Sequence, residues 1–165
     1  MRIDRRTFFG GAGAAAIGAI AVGLSGRGSP ASAETFAVNL TPEQWRRRLS
    51  PAQYSVLRER ATERAWTSPL NNEHRRGTFV CAGCGLPVYR SQDKFDSGTG
   101  WPSFIRPIRN AVRTRSDTMF GMVRTEVICR RCGGHLGHVF NDGPPPTGQR
   151  WCMNGVALRF VAARG

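Results

Sequence analysis

The sequence has almost no lysine and few acidic residues. Its 165 residues include 24 basic ones against 11 acidic ones, for a formal net charge of +13, and Lys94 is the only lysine. The arginines stand mostly singly or in pairs, without the basic stripe and interleaved aromatic residues that nucleic-acid binding needs. The longest basic run, Arg46 to Arg48, lies in a helical pattern and indicates a solvated helix face. The charge therefore favours solubility and names no partner.

Long hydrophobic runs are also lacking. The stretch from Gly10 to Leu24 is rich in glycine and alanine, and it is shorter than the roughly 20 residues of a membrane-spanning helix. Before it, Arg5-Arg6-Thr7-Phe8-Phe9 resembles a twin-arginine signal, and after it Ala31-Ser32-Ala33 suits a signal peptidase. We expect residues 1–33 to be an export signal, with an uncleaved N-terminal anchor as the alternative. Either one places the domain outside the cytoplasm, in the periplasm or an equivalent compartment.

Residues 34–165 are expected to form one domain around one core. The segments Thr41-Pro42-Glu43-Gln44 and Ser50-Pro51-Ala52-Gln53 each place a capping hydroxyl before a proline, with a glutamine three residues after the cap. This pattern predicts two short helices, the second reaching about Arg64.

From Thr78 onward the pattern changes to short alternating or β-branched runs that are broken by turn residues. Predicted strands include Thr78 to Val80, Met119 to Val123, Thr125 to Ile128 and Val156 to Val161. The sequence therefore predicts a mainly β fold, a small antiparallel β domain with an N-terminal helical cover.

Two segments share the form C-x-x-C-G: Cys81-Ala82-Gly83-Cys84-Gly85 and Cys129-Arg130-Arg131-Cys132-Gly133. The spacing lets two thiolates of one tight turn reach one tetrahedral ion, and the glycine can take the positive φ that such a knuckle requires. We expect the two knuckles to be the tips of distant hairpins that are held together by one structural zinc ion, because four thiolates leave zinc no open position for chemistry. A pair of disulfides is the alternative in an exported protein.

Cys152 is the fifth cysteine and has no partner in this scheme. On a strand, residues two apart share a face, so Arg150, Cys152 and Asn154 would project together while Trp151 and Met153 point into the core. A cation and an amide beside the sulfur favour its thiolate form, which is the nucleophile. A buried structural cysteine is the alternative.

Two histidines and one tryptophan complete the candidate site. His135 and His138 lie three residues apart ahead of Cys152, and they are candidate proton donors near pH 7. Each alone could be a surface or capping residue. Trp101 lies between a glycine and a proline in a predicted turn, where it could form the wall of a pocket for an apolar group or pack in the core.

These motifs resemble methionine sulfoxide reductase B, a family that reduces the R epimer of methionine sulfoxide. The resemblance runs from about Leu40 to Leu158 and includes both knuckles. It also covers the motifs Ser97-Gly98-Thr99-Gly100-Trp101-Pro102-Ser103-Phe104, His135-Leu136-Gly137-His138-Val139-Phe140 and Arg150-Trp151-Cys152-Met153-Asn154. It implies two antiparallel β-sheets with peripheral helices and a distal structural zinc in a domain spanning residues 34–165.

The resemblance also implies roles for individual residues. Cys152 would be the catalytic cysteine, and His135 and His138 would act on the sulfoxide oxygen. Arg150 and Asn154 would support the thiolate and a bound water, and Trp101 would receive the substrate methyl group.

One departure from the family pattern bears on the reaction cycle. Many members carry a recycling cysteine in the turn where this chain has Thr99. We therefore expect an external thiol, from a thioredoxin-like protein or a small molecule, to regenerate Cys152 from its sulfenic acid. The expected substrates are oxidised proteins or peptides that contain methionine sulfoxide, and the expected enzyme is a monomer that binds no nucleic acid.

Two other functions remain as alternatives. A zinc-ribbon protein that binds nucleic acid would account for the charge and the knuckles, but it leaves Cys152, the histidine pair and the predicted export signal unexplained. A zinc hydrolase that uses His135 and His138 is weaker, because a catalytic zinc needs an open coordination position.

Overall fold

The structure is a computed structural model that describes residues 34–164. The predicted export signal, residues 1–33, lies outside the described residues and stays a prediction. Among the described residues, no helix is long and apolar enough to cross a membrane.

Among residues 34–164, two short helices precede the sheets. Helix α1 spans Pro42–Arg48 and helix α2 spans Pro51–Glu59. Each begins with the predicted capping box, in which the Thr41 or Ser50 hydroxyl accepts from a glutamine N–H and the glutamine side chain accepts from the capping residue's N–H. The capping prediction is confirmed. The sequence could indicate these caps because all of their residues lie within one turn of helix.

Helix α2 ends five residues before the predicted end. Arg60 takes a left-handed conformation with φ 62° and ends the helix. From there the Arg60 guanidinium reaches the carboxylates of Glu126 and Asp117, at 2.8 Å and 3.3 Å. The sequence pattern continues past Arg60, but these tertiary ion pairs hold the chain in another direction.

In the described part of the chain, nine strands form two antiparallel sheets, as the resemblance implied. The small sheet has the order β2-β1-β9, and the large sheet has the order β3-β4-β8-β7-β6-β5. The strands are β1 Gly77–Cys81, β2 Pro87–Arg90, β3 Lys94–Phe95, β4 Ser103–Phe104, β5 Val112–Asp117, β6 Arg124–Cys129, β7 His135–Phe140, β8 Arg150–Met153 and β9 Leu158–Ala162.

Two predicted strands differ from the structure. Residues Met119–Gly121 form a single 3-10 turn between β5 and β6, because Asp117 accepts from the Met119 N–H and Gly121 takes φ 71°. Residues Gly155–Ala157 also form a 3-10 turn, so that β9 begins two residues later than predicted.

The core lies between the two sheets and beneath helix α2. Phe104 of the large sheet stacks on Tyr89 of the small sheet with ring centroids 4.3 Å apart. The ring of Phe79 packs against that of Phe104 in an edge-on arrangement, with ring centroids 5.0 Å apart. Leu57 of α2 and Leu136 of β7 belong to the same buried cluster. Aromatic pairs of this kind, and the apolar area that they bury, stabilise the packing of the two sheets.

Candidate active site

The four knuckle cysteines meet in one cluster, which joins the two sheets. One knuckle is the turn between β1 and β2, and the other is the turn between β6 and β7. Gly85 and Gly133 have φ 74° and 67°, and their N–H groups donate to the carbonyls of Cys81 and Cys129 at 2.8 Å and 2.9 Å. The predicted knuckle geometry, with each glycine at positive φ, is thus confirmed.

The cluster has the dimensions of a tetrahedral metal site. The Sγ atoms of Cys81 and Cys132 are 3.7 Å apart, those of Cys84 and Cys129 are 3.5 Å apart, and all four lie within 4.8 Å of one another. A tetrahedron of sulfurs about 2.3 Å from a central zinc has edges of about 3.8 Å. The separations exceed the roughly 2.05 Å of a disulfide bond. These thiols therefore fit a single metal ion with no open position.

Cys152 lies apart from this cluster, on strand β8 in the middle of the large sheet. Its Cα is paired with Ser103 of β4 on one side and with His138 of β7 on the other. Along β8, Trp151 and Met153 are buried whereas Arg150 and Cys152 are partly exposed. The predicted alternation of faces is confirmed for these four residues, because the period of a strand is two.

A chain of hydroxyl groups lies beside the Cys152 sulfur. The Thr99 hydroxyl is 3.9 Å from Sγ, and it lies 2.8 Å from the hydroxyl of Ser97. Ser97 in turn lies 2.7 Å from Ser103, which is fully buried. These hydroxyls supply hydrogen-bond donors to a negatively charged sulfur. The sequence of the loop alone did not indicate that they lie beside Cys152.

Burial opposes the ionisation of Cys152. It raises the pKa of the Cys152 thiol above its ordinary value, even though Thr99, Arg150 and Ser103 each favour the thiolate. Arg150 favours the thiolate, as predicted, but desolvation of the charged form outweighs its effect and that of the two hydroxyls.

The Arg150 side chain is held at the edge of the site by an ion pair. Its Nε and Nη2 atoms donate to the two carboxylate oxygens of Asp142 at 2.9 Å and 2.8 Å, and its guanidinium lies 4.4 Å from the centre of the Phe140 ring. The paired carboxylate raises the pKa of Arg150, so the cation persists near Cys152 at all relevant pH.

His138 faces Cys152 from the neighbouring strand, and it is bonded to a buried carboxylate. Its Nε2 lies 2.7 Å from Oδ2 of Asp117, which is 3% exposed. Burial lowers the pKa of His138, and the bond to Asp117 partly opposes this effect. The bond to His138 also holds the pKa of Asp117 well below its ordinary value, assisted by the Met119 N–H and by Arg124.

His135 is also bonded to a buried carboxylate, but its side chain is more deeply buried than that of His138. Its Nδ1 lies 2.7 Å from Oε1 of Glu126, and that side chain is fully buried. The Nε2 atom of His135 is buried without a hydrogen-bond partner among the described residues. Burial raises the pKa of Glu126, but hydrogen bonds with His135 and Arg115 overcome it and bring that pKa to about 2.

Arginines tie the two histidine-carboxylate pairs into one network. Arg60 contacts both Asp117 and Glu126, Arg115 donates to Glu126 at 2.6 Å, and Arg124 donates to Asp117 at 2.9 Å. Sequence reasoning missed the two acids. A usable signal existed, because both acids lie close to arginines in the sequence. An acid that is buried must be paired with an opposite charge.

Asn154 lies just after strand β8, and it joins elements around the site. Its Oδ1 accepts from the Glu63 N–H at 2.8 Å, and its Nδ2 donates to the Leu136 carbonyl at 3.2 Å. These bonds fix the segment after α2 against strand β7. The implied role of Asn154 toward the thiolate stays a prediction.

Cys152 lies in an open cleft that also contains Trp101. The Trp101 side chain is partly buried, and its Nε1 donates to the Glu63 carbonyl at 2.9 Å. Four of the six predicted catalytic and substrate residues line the cleft, namely Cys152, His138, Asn154 and Trp101. The other lining residues are Thr62, Arg124, Gly137, Phe140 and Met153. His135 and Arg150 are not among the lining residues. The described part of the chain thus presents a thiol, a histidine and an aromatic wall to one small ligand.

Comparison with known proteins gives a consistent answer. Residues 49–162 match the SelR domain family. The chain is 58% identical over 119 residues to the peptide methionine sulfoxide reductase MsrB of Bradyrhizobium diazoefficiens, covering 72% of this chain and 86% of that protein. It is 57% identical over 121 residues to the protein of the same name from Thiobacillus denitrificans, covering 73% and 92%. With that of Leptospira interrogans it shares 48% over 126 residues, covering 76% and 96%.

Proposed function

We propose that this chain, which belongs to the peptide methionine sulfoxide reductase MsrB family, reduces the R epimer of peptide-bound methionine sulfoxide through a sulfenic acid on Cys152. Membership of the family makes the chain an oxidoreductase that acts on methionine sulfoxide. The observation that supports this mechanism is a partly exposed cysteine outside the metal cluster, paired across the sheet with a histidine and facing a tryptophan in one cleft.

The chemistry transfers one oxygen atom between two sulfurs. The Cys152 sulfur attacks the sulfoxide sulfur, the sulfur–oxygen bond of the substrate breaks, and the oxygen ends on Cys152. The substrate sulfur is reduced by two electrons and Cys152 is oxidised by two. The thiol proton is conserved in the sum, because Cys–SH and sulfoxide give Cys–SOH and thioether.

His138 is the histidine best placed to protonate the oxygen as charge develops there. It lines the cleft, whereas His135 is buried and is not among the lining residues. The proton must come from the histidine in its charged form, and the carboxylate of Asp117 favours that form. His135 and Glu126 then hold strand β7 and the second half of the ionic network in place.

Asp117→Asn is expected to lower kcat at pH 7 by about tenfold. Asparagine keeps a hydrogen-bond partner for His138 but removes the charge that raises its pKa. A lower pKa means a smaller protonated fraction at any given pH, so the loss of activity on the alkaline side moves to lower pH. The pH profile of kcat with methionine R-sulfoxide measures this shift.

Asp93→Asn is the matched control for that variant. Asp93 is also a buried carboxylate in an arginine ion pair, with Arg106 at 2.8 Å, but it contacts neither histidine. We expect an unchanged pH profile for it. An unchanged profile for Asp117→Asn as well would show that His138 is not the acid.

Regeneration of Cys152 needs a thiol from another molecule. The other four cysteines of the chain form the metal cluster, and the side chain of Thr99 lies beside the sulfur, with its hydroxyl at 3.9 Å. An external thiol condenses with the sulfenic acid and releases water, and a second thiol then displaces Cys152 as a free thiol and leaves the two donor thiols as a disulfide. A thioredoxin-like protein or a small thiol is the proposed donor.

A single turnover with excess methionine R-sulfoxide is expected to leave one sulfenic acid per chain and no intramolecular disulfide. Dimedone labelling followed by mass spectrometry locates the modified residue. In Thr99→Cys, the new sulfur lies where the hydroxyl is now, 3.9 Å from Sγ of Cys152. We therefore expect that variant to form a disulfide between residues 99 and 152 after turnover.

Thr99→Ser is the control, because it keeps a hydroxyl at the same place and should still give the sulfenic acid. A stable disulfide in the wild-type chain would contradict the proposed need for an external thiol. Free thiols in Thr99→Cys after turnover would contradict the proposed arrangement of the pocket.

The metal of the cysteine cluster is proposed to be zinc in a structural role. Four thiolates suit zinc, and when bound it supplies folding free energy and takes no part in the reaction. The zinc-ribbon alternative is not favoured, because the family to which the chain belongs accounts for the knuckles, Cys152 and His138 together.

A further inference from the structure

A second pocket shares a wall with the catalytic cleft. Trp101 lines both, so the two pockets adjoin at this residue. The remaining lining of the second pocket comes from the segment after helix α2, from strand β3 and from the turn that carries Thr99. It includes Trp66, Asn71, Lys94, Asp96 and Gly100. The proposed reaction uses none of these residues.

Trp66 is the unusual member of this set. Its side chain is 68% exposed, the largest exposed aromatic residue of the described chain. Its backbone is left-handed, with φ 68°, a conformation that is an outlier for so bulky a residue. The exposed indole is not part of the buried core, so core packing does not explain its strained backbone. Such strain is found where binding or catalysis requires a side chain in a set direction.

The exposed indole is held firmly against the turn. The Trp66 N–H donates to the Gly100 carbonyl at 2.8 Å, and a Cβ placed on Gly100 would lie 2.9 Å from the indole ring. Gly100 has φ 90°, so glycine is required there both for the backbone and for this close contact. The ring is thus positioned directly beside the residue that precedes Trp101.

Polar contacts hold another part of the pocket lining. The Asn71 Nδ2 donates to the same Gly100 carbonyl at 3.0 Å, and the Lys94 ammonium donates to the Asn71 carbonyl at 2.7 Å. The pocket therefore combines the exposed indole of Trp66 with polar groups that already have partners.

We propose that this pocket is a subsite for the polypeptide substrate, in which Trp66 stacks on an apolar or aromatic side chain adjacent in sequence to the methionine sulfoxide. The inference rests on the proposed function. A substrate whose sulfoxide contacts Trp101 from the cleft continues past that residue, since each extended residue advances the chain by about 3.3 Å or more. The neighbouring side chain then meets the exposed indole, which a free amino acid sulfoxide does not reach.

The test compares two substrates, N-acetyl methionine R-sulfoxide amide and a pentapeptide with phenylalanine on both sides of the R-sulfoxide. The ratio of their kcat/KM values, peptide over amide, is measured for the wild type, Trp66→Gly and Trp66→Phe. Glycine removes the ring and relaxes the backbone. We expect the ratio to fall about fivefold in Trp66→Gly, mainly through KM, and to stay near the wild-type value in Trp66→Phe.

Val161→Ala is the matched surface control. Val161 is 52% exposed on strand β9 of the other sheet, so its loss should leave the ratio unchanged. A second comparison uses the wild type alone, in which the phenylalanine-flanked peptide should exceed a glycine-flanked one by about fivefold in kcat/KM. This comparison stands even if a Trp66 variant fails to fold.

Two results would overturn the inference: an unchanged ratio in Trp66→Gly, which includes an equal loss on both substrates, or no preference of the wild type for the phenylalanine-flanked peptide. If the wild type reduces neither the amide nor the peptides, the proposed function itself is wrong.

Discussion

Replacing Cys152 with serine is expected to lower the turnover of methionine R-sulfoxide by at least about a thousandfold. Serine is nearly isosteric, but its hydroxyl cannot take the sulfoxide oxygen into a stable two-electron oxidised state. The neighbouring hydroxyls of Thr99 and Ser103 and the facing His138 would all remain. Reduction of R- and S-sulfoxide peptides, followed separately with a generic dithiol, measures the loss and its epimer specificity.

Two further measurements make that result specific to the chemistry. The variant should keep its metal and its unfolding midpoint, because Cys152 belongs to neither the cluster nor the fully buried core. In the wild type, alkylation of Cys152 should accelerate as pH rises beyond the ordinary range of a thiol, since burial raises its pKa. Turnover retained by Cys152→Ser would end the assignment of the nucleophile.

Replacing Cys132 with serine is expected to release the metal and to lower the free energy of unfolding by at least about 5 kcal/mol. The Cys132 side chain is buried in the cluster that joins a hairpin of the small sheet to a hairpin of the large sheet. Loss of one thiolate leaves the metal with three ligands and leaves the two turns unconnected. Metal content per chain and urea unfolding measure the two effects.

Cys152→Ser is the matched control for this experiment too, because it removes the one cysteine outside the cluster. We expect one zinc ion per chain in the wild type and in Cys152→Ser, and none in Cys132→Ser. A Cys132→Ser protein that lacks metal and unfolds at the wild-type urea concentration would show that the cluster does not hold the sheets together.

The pairing of the two histidines with carboxylates illustrates what could not be predicted. Asp117 is 21 residues from His138 and Glu126 is 9 residues from His135. They meet because β5, β6 and β7 lie side by side in a particular register, and register depends on pairings along the whole sheet. Strand β5 is rich in arginine and shows no hydrophobic alternation, so the sequence pattern did not predict it as a strand.

The electrostatic state of Cys152 likewise depended on the tertiary structure. Its cationic neighbour Arg150 was evident from the strand period, and the structure places it as expected. The sequence did not indicate how far the fold excludes water from the sulfur. That desolvation decides the direction of the pKa shift of Cys152.

The sequence by itself determined the features whose interactions lie within a few residues: the two capping boxes, the glycine-ended metal knuckles, the faces of strand β8 and the motifs of the family. Only the tertiary structure decided where helix α2 ends, which acids orient the histidines, how strongly Cys152 is desolvated, and that Trp66 lies beside the substrate cleft. The physical reason is range, because hydrogen bonds within one turn depend on local residue types, whereas burial and ion pairing depend on segments that are distant in the chain.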